Sequence, residues 1–347
     1  MSETIEIAGV QIAPGRSAVV RVPVTQRLTT GQVEIAAHVI HGRRPGPRLF
    51  VSAALHGDEI NGTEILRRLL RMPLMRRLRG TLVAVPVVNV YGFVSQQRYL
   101  PDRRDLNRSF PGSARGSLAA RVAHSFLTNF VEGSTHGIDL HTGAIHRTNL
   151  PQIRVRLSSP EIEDMARAFG TPVILNSPLR PGSLRAAADD LGIPTLVYEA
   201  GEALRFEEFS IRAGIRGIVS VMRHLEMLPR AKSMRRAPSA VISHKSVWIR
   251  APDTGMLATQ LRLGATIERR EVLGSITDPL GENTRSIRSP VAGVLIGRTN
   301  LPLANEGDAL FHVGTFDRLE SVAEEVDAFR EDLELDPLDD DAPARTA

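Results

Sequence analysis

Apolar and polar positions along this chain fall into short blocks that switch between strand-like runs and helical spacing. From Gln32, "QVEIAAHVI" and "RLFVSAAL" read as strands separated by "HGRRPGP", whose glycines and prolines punctuate a turn. "NGTEILRRLLRMPL" then spaces Ile65, Leu66, Leu69 and Leu70 along one side of a helix. "TLVAVPVVN", "GIDLHT" and "IPTLVYEAG" read as further strands, and "LAARVAHSFLTNFV" and "PEIEDMARAFG" as helices, the second stopped by its glycine. Strands alternating with helices predict an α/β fold, a mixed sheet with helices on both faces, and ligands in such sheets gather where strands end.

Beyond residue 228 the rhythm changes. "MLPRAKSMRRAPSAVISHK" mixes basic residues with prolines, and after it come short apolar runs between glycines with no helical pattern. "IRAPDTGML" at 249 and "IRSPVAGVL" at 287 share the frame I-R-x-P-x-x-G-x-L, so two similar β-layers folding on each other are expected. The expected organisation is an N-terminal β extension (1–31), a catalytic α/β domain (32–228), a linker (229–243), a C-terminal β barrel-sandwich domain (244–316) and an acidic tail (317–347). The tail begins as a helix and is expected to lack fixed structure over most of its length.

Composition narrows the function classes. With 42% hydrophobic and 24% charged residues the chain resembles a soluble globular protein. No run nears the roughly 18 to 20 apolar residues that cross a bilayer, and "MSETIEIAGV" lacks the features of a signal peptide, so a cytoplasmic protein without a membrane partner is expected. The absence of cysteine excludes disulfides, thiolate ligands and a cysteine nucleophile. Lys232 and Lys245 are the only lysines, so almost all positive charge is arginine. Residues 317–347 hold 12 acidic and 3 basic residues, leaving a net positive body that suits small anionic ligands. Aromatic content of 4% and the lack of a nucleic-acid module argue against nucleic acid as partner. A homo-oligomer is compatible with the sequence.

Four short stretches carry the candidate chemistry. In "SAALHGDEING", His56 and Glu59 stand three apart where a strand gives way; they could be hydrogen-bonded loop residues, or two ligands turned to one point. In "GIDLHTGA", His141 ends another strand with Asp139 on the same face; it reads as a packed strand-end histidine or as a third, distant ligand whose second nitrogen the carboxylate holds. "RRDLNRSFPG" sets Asn107 and Arg108 before a turn, donors matched to a substrate carboxylate. "TLVYEAGE" leaves Glu199 at a strand end before Gly201, as a proton carrier or one half of a salt bridge, with Glu202 the more solvated of the two.

In this order "HGDE", "DLNRSFPG", "DLHTG" and "EAG" resemble the succinylglutamate desuccinylase and aspartoacylase family, itself related to zinc carboxypeptidases. The resemblance spans about residues 32 to 225 and extends to that family's C-terminal barrel. It implies one Zn2+ per chain held by His56, Glu59 and His141, with Glu199 as general base and proton shuttle. It also implies that Asn107 and Arg108 hold the substrate carboxylate. An arginine ahead of "DLNR" polarises the scissile carbonyl in such enzymes; Arg98 is the match, with Arg103 and Arg104 as alternatives because the interval is two residues longer here. A tyrosine that aspartoacylase contributes from its C-terminal domain has no counterpart.

The implied reaction is hydrolysis of a small anionic N-acyl amino acid by activated water. A carboxypeptidase would use the same constellation, but an extra domain beside the cleft favours small substrates. A biotinyl- or lipoyl-type carrier role for the β-domain is disfavoured because residues 277–314 contain no lysine. "NLPLAN" (300–305) is expected to loop near the cleft, and the acidic tail to lie transiently over the arginine-rich cleft.

Overall fold

The structure is a computed structural model describing residues 2–26, 32–230, 240–317 and 319–334. Its centre is four parallel strands, Thr195–Glu202, His136–Gly143, Arg44–Ala53 and Arg79–Val87, lying side by side in that order. Antiparallel strands Gln32–His41 and Arg16–Gln26 extend the sheet beyond Arg79–Val87. On the other side Arg147–Val155 pairs antiparallel with Thr195–Glu202 and is followed by Gly293–Thr299, Ala309–Thr315 and Lys245–Arg250.

Alternation along the strands divides two apolar layers. Leu49, Val51 and Ala53 face helices Asn61–Leu69, Pro160–Phe169 and Glu208–His224, whereas Phe50 packs with Leu118–Phe126 and Leu184–Asp190. Helices therefore cover both faces, as the alternating pattern predicts. Three of them start at a serine whose hydroxyl accepts a backbone N–H: Ser117 from Ala120, Ser159 from Ile162 and Ser183 from Ala186.

The C-terminal strands form a sandwich. A four-stranded antiparallel sheet (Thr284–Arg288, Val272–Thr277, Gly255–Ala258, Leu303–Ala304) shares a core with the extension of the main sheet, Ile276 and Ile287 meeting Ile249, Leu295 and Phe311. The two I-R-x-P-x-x-G-x-L repeats are crossings between these sheets in opposite senses: one leads from Lys245–Arg250 to Gly255–Ala258, the other from Thr284–Arg288 to Gly293–Thr299.

Two expectations change. Val241–Ser243, taken as linker, is a strand parallel to Val173–Asn176; residues 231–239 of that stretch lie outside the described residues. The acidic tail is ordered through Leu319–Glu334, a helix burying Val322, Val326, Phe329 and Leu333 against the body. Those apolar positions recur at helical intervals, and their burial outweighs the charged residues between them. Residues 335–347 lie outside the described residues. No helix among the described residues is long and apolar enough to cross a membrane.

Candidate metal and active site

The parallel strands deliver their C-terminal ends to one rim. Ala54, left-handed at φ 48°, turns the chain out of Arg44–Ala53 into the His56–Glu59 turn, where Glu59 N–H donates to His56 O at 3.1 Å. A Cβ on Gly57 would lie 1.9 Å from the Gly92 carbonyl carbon, so only glycine lets this turn press against the helix Val90–Ser95. Both side chains of the turn are thereby buried.

Glu59 sits between two imidazoles. Its Oε1 is 2.7 Å from His56 Nδ1 and its Oε2 is 2.7 Å from His141 Nδ1. The outer nitrogens are also held: His56 Nε2 lies 3.1 Å from Asp105 Oδ1 and His141 Nε2 2.7 Å from Asp139 Oδ2, while Ser52 Oγ donates to Asp139 Oδ1 at 2.7 Å. One ligand atom from each of His56, Glu59 and His141 falls within 4.8 Å of the others. Burial opposes charge on all three, yet their mutual attraction prevails. Glu59 is held well below the usual carboxylate range by His56 and His141, and His141 well above the usual imidazole range by Asp139 and Glu59.

This donor set has a chemical requirement. If each Nε2 carries the proton that its carboxylate partner accepts, both Nδ1 lone pairs point at the oxygens of a buried, ionised glutamate. Acceptor then faces acceptor at both contacts, a clash relieved either by a proton on each Nδ1, which the raised imidazoles permit, or by a metal cation among the three. Two imidazole nitrogens and a carboxylate oxygen are the donor types that zinc takes, so the residues present fit the ion.

Glu199 is the register partner of His141 on the adjacent strand. Asn149 Nδ2 donates to its Oε2 at 2.7 Å, and Arg154 Nε stands 3.4 Å from its Oε1. Immediately beyond, the ladder shifts register and Gly201 turns at φ +74°, where a Cβ would meet Asn61 Nδ2 at 2.7 Å. Glu202 is not a free surface carboxylate, because Asn300 Nδ2 donates to it at 2.9 Å and to Thr148 Oγ1 at 2.6 Å. That contact seats the 300–305 loop beside the strand carrying Asn149.

Arg98 donates to Glu59 Oε1 and Asp105 Oδ2, both at 3.0 Å, whereas Arg103 and Arg104 are exposed and do not line the cleft. Asn107 Oδ1 accepts the Leu184 N–H at 2.9 Å, and Arg108 Nη1 donates to the Asn107 carbonyl. His56, Glu59, Arg98, Asn107, Arg108, Asp139, His141 and Glu199 all border one cleft of about 540 Å³.

Sequence reasoning passed over several groups that line that cleft or hold the residues lining it. Asp105 lies inside the "DLNR" box, and its position two before Asn107 was a usable signal. Asn149 and Arg154 stand on Arg147–Val155, a strand the apolar pattern does not reveal. Arg185 lies beside them, drawn down to about 10 by burial and by Arg154. From the C-terminal strands come Trp248 and His312, stacked with ring centroids 4.6 Å apart, with the Arg147 guanidinium 5.2 Å from the tryptophan ring.

Comparison with known proteins bears on the family and the fold. The sequence model of the succinylglutamate desuccinylase/aspartoacylase catalytic domain matches residues 45–225. N-alpha-acetyl-L-2,4-diaminobutyric acid deacetylase of Halomonas elongata is 26% identical over 296 residues, which cover 81% of this chain and 85% of that protein. A succinylglutamate desuccinylase/aspartoacylase structure from Rhodobacter sphaeroides matches with a TM-score of 0.76 at 24% identity, covering 87% of this chain and 95% of that one. The product-bound ectoine utilization protein EutE (DoeB) of Ruegeria pomeroyi matches with a TM-score of 0.78 at 22% identity, covering 91% and 100%. At these identities the two structures speak for the fold.

Proposed function

This chain belongs to the succinylglutamate desuccinylase/aspartoacylase family, and from that premise we propose that it is a zinc-dependent amidohydrolase that removes the acyl group from a small, anionic N-acyl amino acid. The observation that carries the reading is the pair of imidazole Nδ1 atoms facing a single buried carboxylate. His56, Glu59 and His141 would hold the ion. Bound there, zinc supplies Lewis acidity, bringing the pKa of water towards about 7 and polarising the amide carbonyl.

The remaining work falls to side chains. Glu199 takes a proton from the attacking water and passes it to the leaving nitrogen as the C–N bond breaks, releasing a carboxylate and a free amine. Asn149 and Arg154 keep that carboxylate aimed at the cleft. Arg98 meets the negative charge that develops on the carbonyl oxygen. Arg108, with the Asn107 amide beside it, receives the substrate carboxylate. Two features support a small substrate: Trp248 and His312 wall one side of the cleft, and arginines 147, 154, 180 and 185 border it.

The test incubates zinc-loaded and chelator-treated protein with N-acetyl and N-succinyl amino acids and short peptides, reading released amines by mass spectrometry. Chelator-sensitive release from one acyl amino acid, with peptides intact, is the expected result. Release of C-terminal residues from the peptides would replace the deacylase with a carboxypeptidase.

A further inference from the structure

A cavity of about 1360 Å³, larger than the cleft, lies away from it. It borders the N-terminal ends of strands whose other ends carry the site: Arg44 opens Arg44–Ala53 and Arg79 opens Arg79–Val87. Strands of that length separate the two rims by about 30 Å.

Four segments bring nine arginines to this cavity, around residues 16, 43–44, 71–79 and 223–230, against one carboxylate, Glu226. Among the described residues none of the nine guanidinium groups has an ion-pair or hydrogen-bond partner, and Arg223 Nε is buried with none. Elsewhere the arginines of this protein find carboxylates readily, as Arg67 and Arg68 do on Glu64, so the lack of partners is local to the cavity. The floor is firm. Gly42 N–H donates to Gly80 O at 2.8 Å, and a Cβ on either glycine would collide with backbone at 2.2 Å or less. Arg79 N–H donates to Met227 O at 2.8 Å, fastening the segment after Glu208–His224 to the same rim.

A concave set of guanidinium forks on that floor matches phosphate oxygens bidentately and repels itself when empty. Among the described residues no phenylalanine, tyrosine or tryptophan lines the cavity, and of its two imidazoles His41 is buried with both ring nitrogens held by Thr81 and Glu3, so a run of unstacked bases lacks its usual stacking platforms. We propose that this basic cavity is a second binding site, separate from the deacylation cleft, that takes a compact polyphosphate, either an inorganic chain or the phosphate chain of a nucleotide.

Isothermal titration of the as-purified protein with tripolyphosphate, and separately with ATP, tests this. One saturable event is expected, weakened at higher salt. Arg44→Ala/Arg76→Ala/Arg79→Ala should weaken it by at least about tenfold without altering deacylase turnover. Glu226→Gln, which removes the lone carboxylate, should tighten it, giving a gain that a misfolded variant could not produce. Equal affinities for the two probes would identify the phosphate chain alone as the ligand, and a preference for ATP would identify a nucleotide. Heat that persists unchanged in the triple variant would mean binding in the catalytic cleft or metal chelation, and would overturn the proposal. So would an acidic peptide or an oligonucleotide binding tenfold tighter than either probe.

Discussion

Glu199 and His141 are register partners on neighbouring parallel strands, so the carboxylate proposed to move the proton stands beside the ligand set without belonging to it. Separate contacts hold them. His141 is fixed by Asp139 and Glu59, and Glu199 by Asn149 and Arg154.

Substitution should therefore divide metal binding from turnover. Glu199→Gln is expected to retain zinc and the fold while kcat falls by about 10² to 10⁴, whereas His56→Ala loses both metal and activity. Metal content by mass spectrometry beside steady-state kinetics checks this, and zinc loss in Glu199→Gln would remove the assigned role.

Asp139 should act on the metal through His141. Asp139→Asn keeps the residue's shape but weakens the hold on Nε2, and zinc affinity is expected to fall about 10- to 100-fold. A competition titration with a chromophoric chelator measures it. Unchanged affinity would make Asp139 a structural residue of the strand.

Asn149 is a positioning residue. Asn149→Leu should lower kcat on the order of a hundredfold by letting Glu199 swing out of line, with KM and metal content near their original values. A rise in KM alone would instead put Asn149 in substrate binding.

The difference between what the sequence revealed and what it concealed follows from these contacts. His56, Glu59, His141 and Glu199 were legible because each ends an apolar run, and an abrupt polar group there stands out. Asn149 and Arg154 did not stand out, since "RTNLPQIRV" turns polar side chains towards the cleft and has Pro151 in its middle. The structure accounts for that proline: residues 147–149 pair with Gly293–Thr299 and residues 152–155 with Val173–Asn176, so Pro151 falls where the strand changes neighbours. The Trp248–His312 stack was hidden because it depends on the register of two strands distant in sequence. The start of helix Leu319–Glu334 was read, but its length and docking were obscured by its acidic residues, although Val322, Val326, Phe329 and Leu333 already had helical spacing.

Acid stability should carry the mark of His312. Burial, with Arg154 near, pulls its imidazole down to about 3, while an unfolded histidine titrates near 6.5. Between those values the unfolded chain binds the extra proton, so stability is lost as pH falls below 6.5, by about 1.4 kcal/mol per unit. Denaturant unfolding at several pH values should show that slope reduced in His312→Gln. Parallel pH dependences for the two proteins would mean that His312 is protonated in the folded state.

The docked helix gives a test that separates stability from catalysis. Phe329→Ala removes a ring packed edge-on against Phe209 and is expected to cost about 3 to 5 kcal/mol. KM at low salt should not change, because this part of the acidic segment is held against the body. A raised KM at low salt, from a loosened acidic segment reaching the cleft, would restore the idea of that segment competing with substrate.

The pairing of Gly297 with Asn149 bears on how this protein can be cut. A chain stopped after Glu208–His224 would bare the backbone donors and acceptors of residues 147–149 on an open sheet edge. Such a fragment should stick to its own kind through that edge, so recombinant dissection would yield aggregates where the motif boundaries suggest a free-standing enzyme. Exchanging C-terminal segments between relatives would meet the same constraint: a graft has to complete the sheet in register before it can shape the cleft.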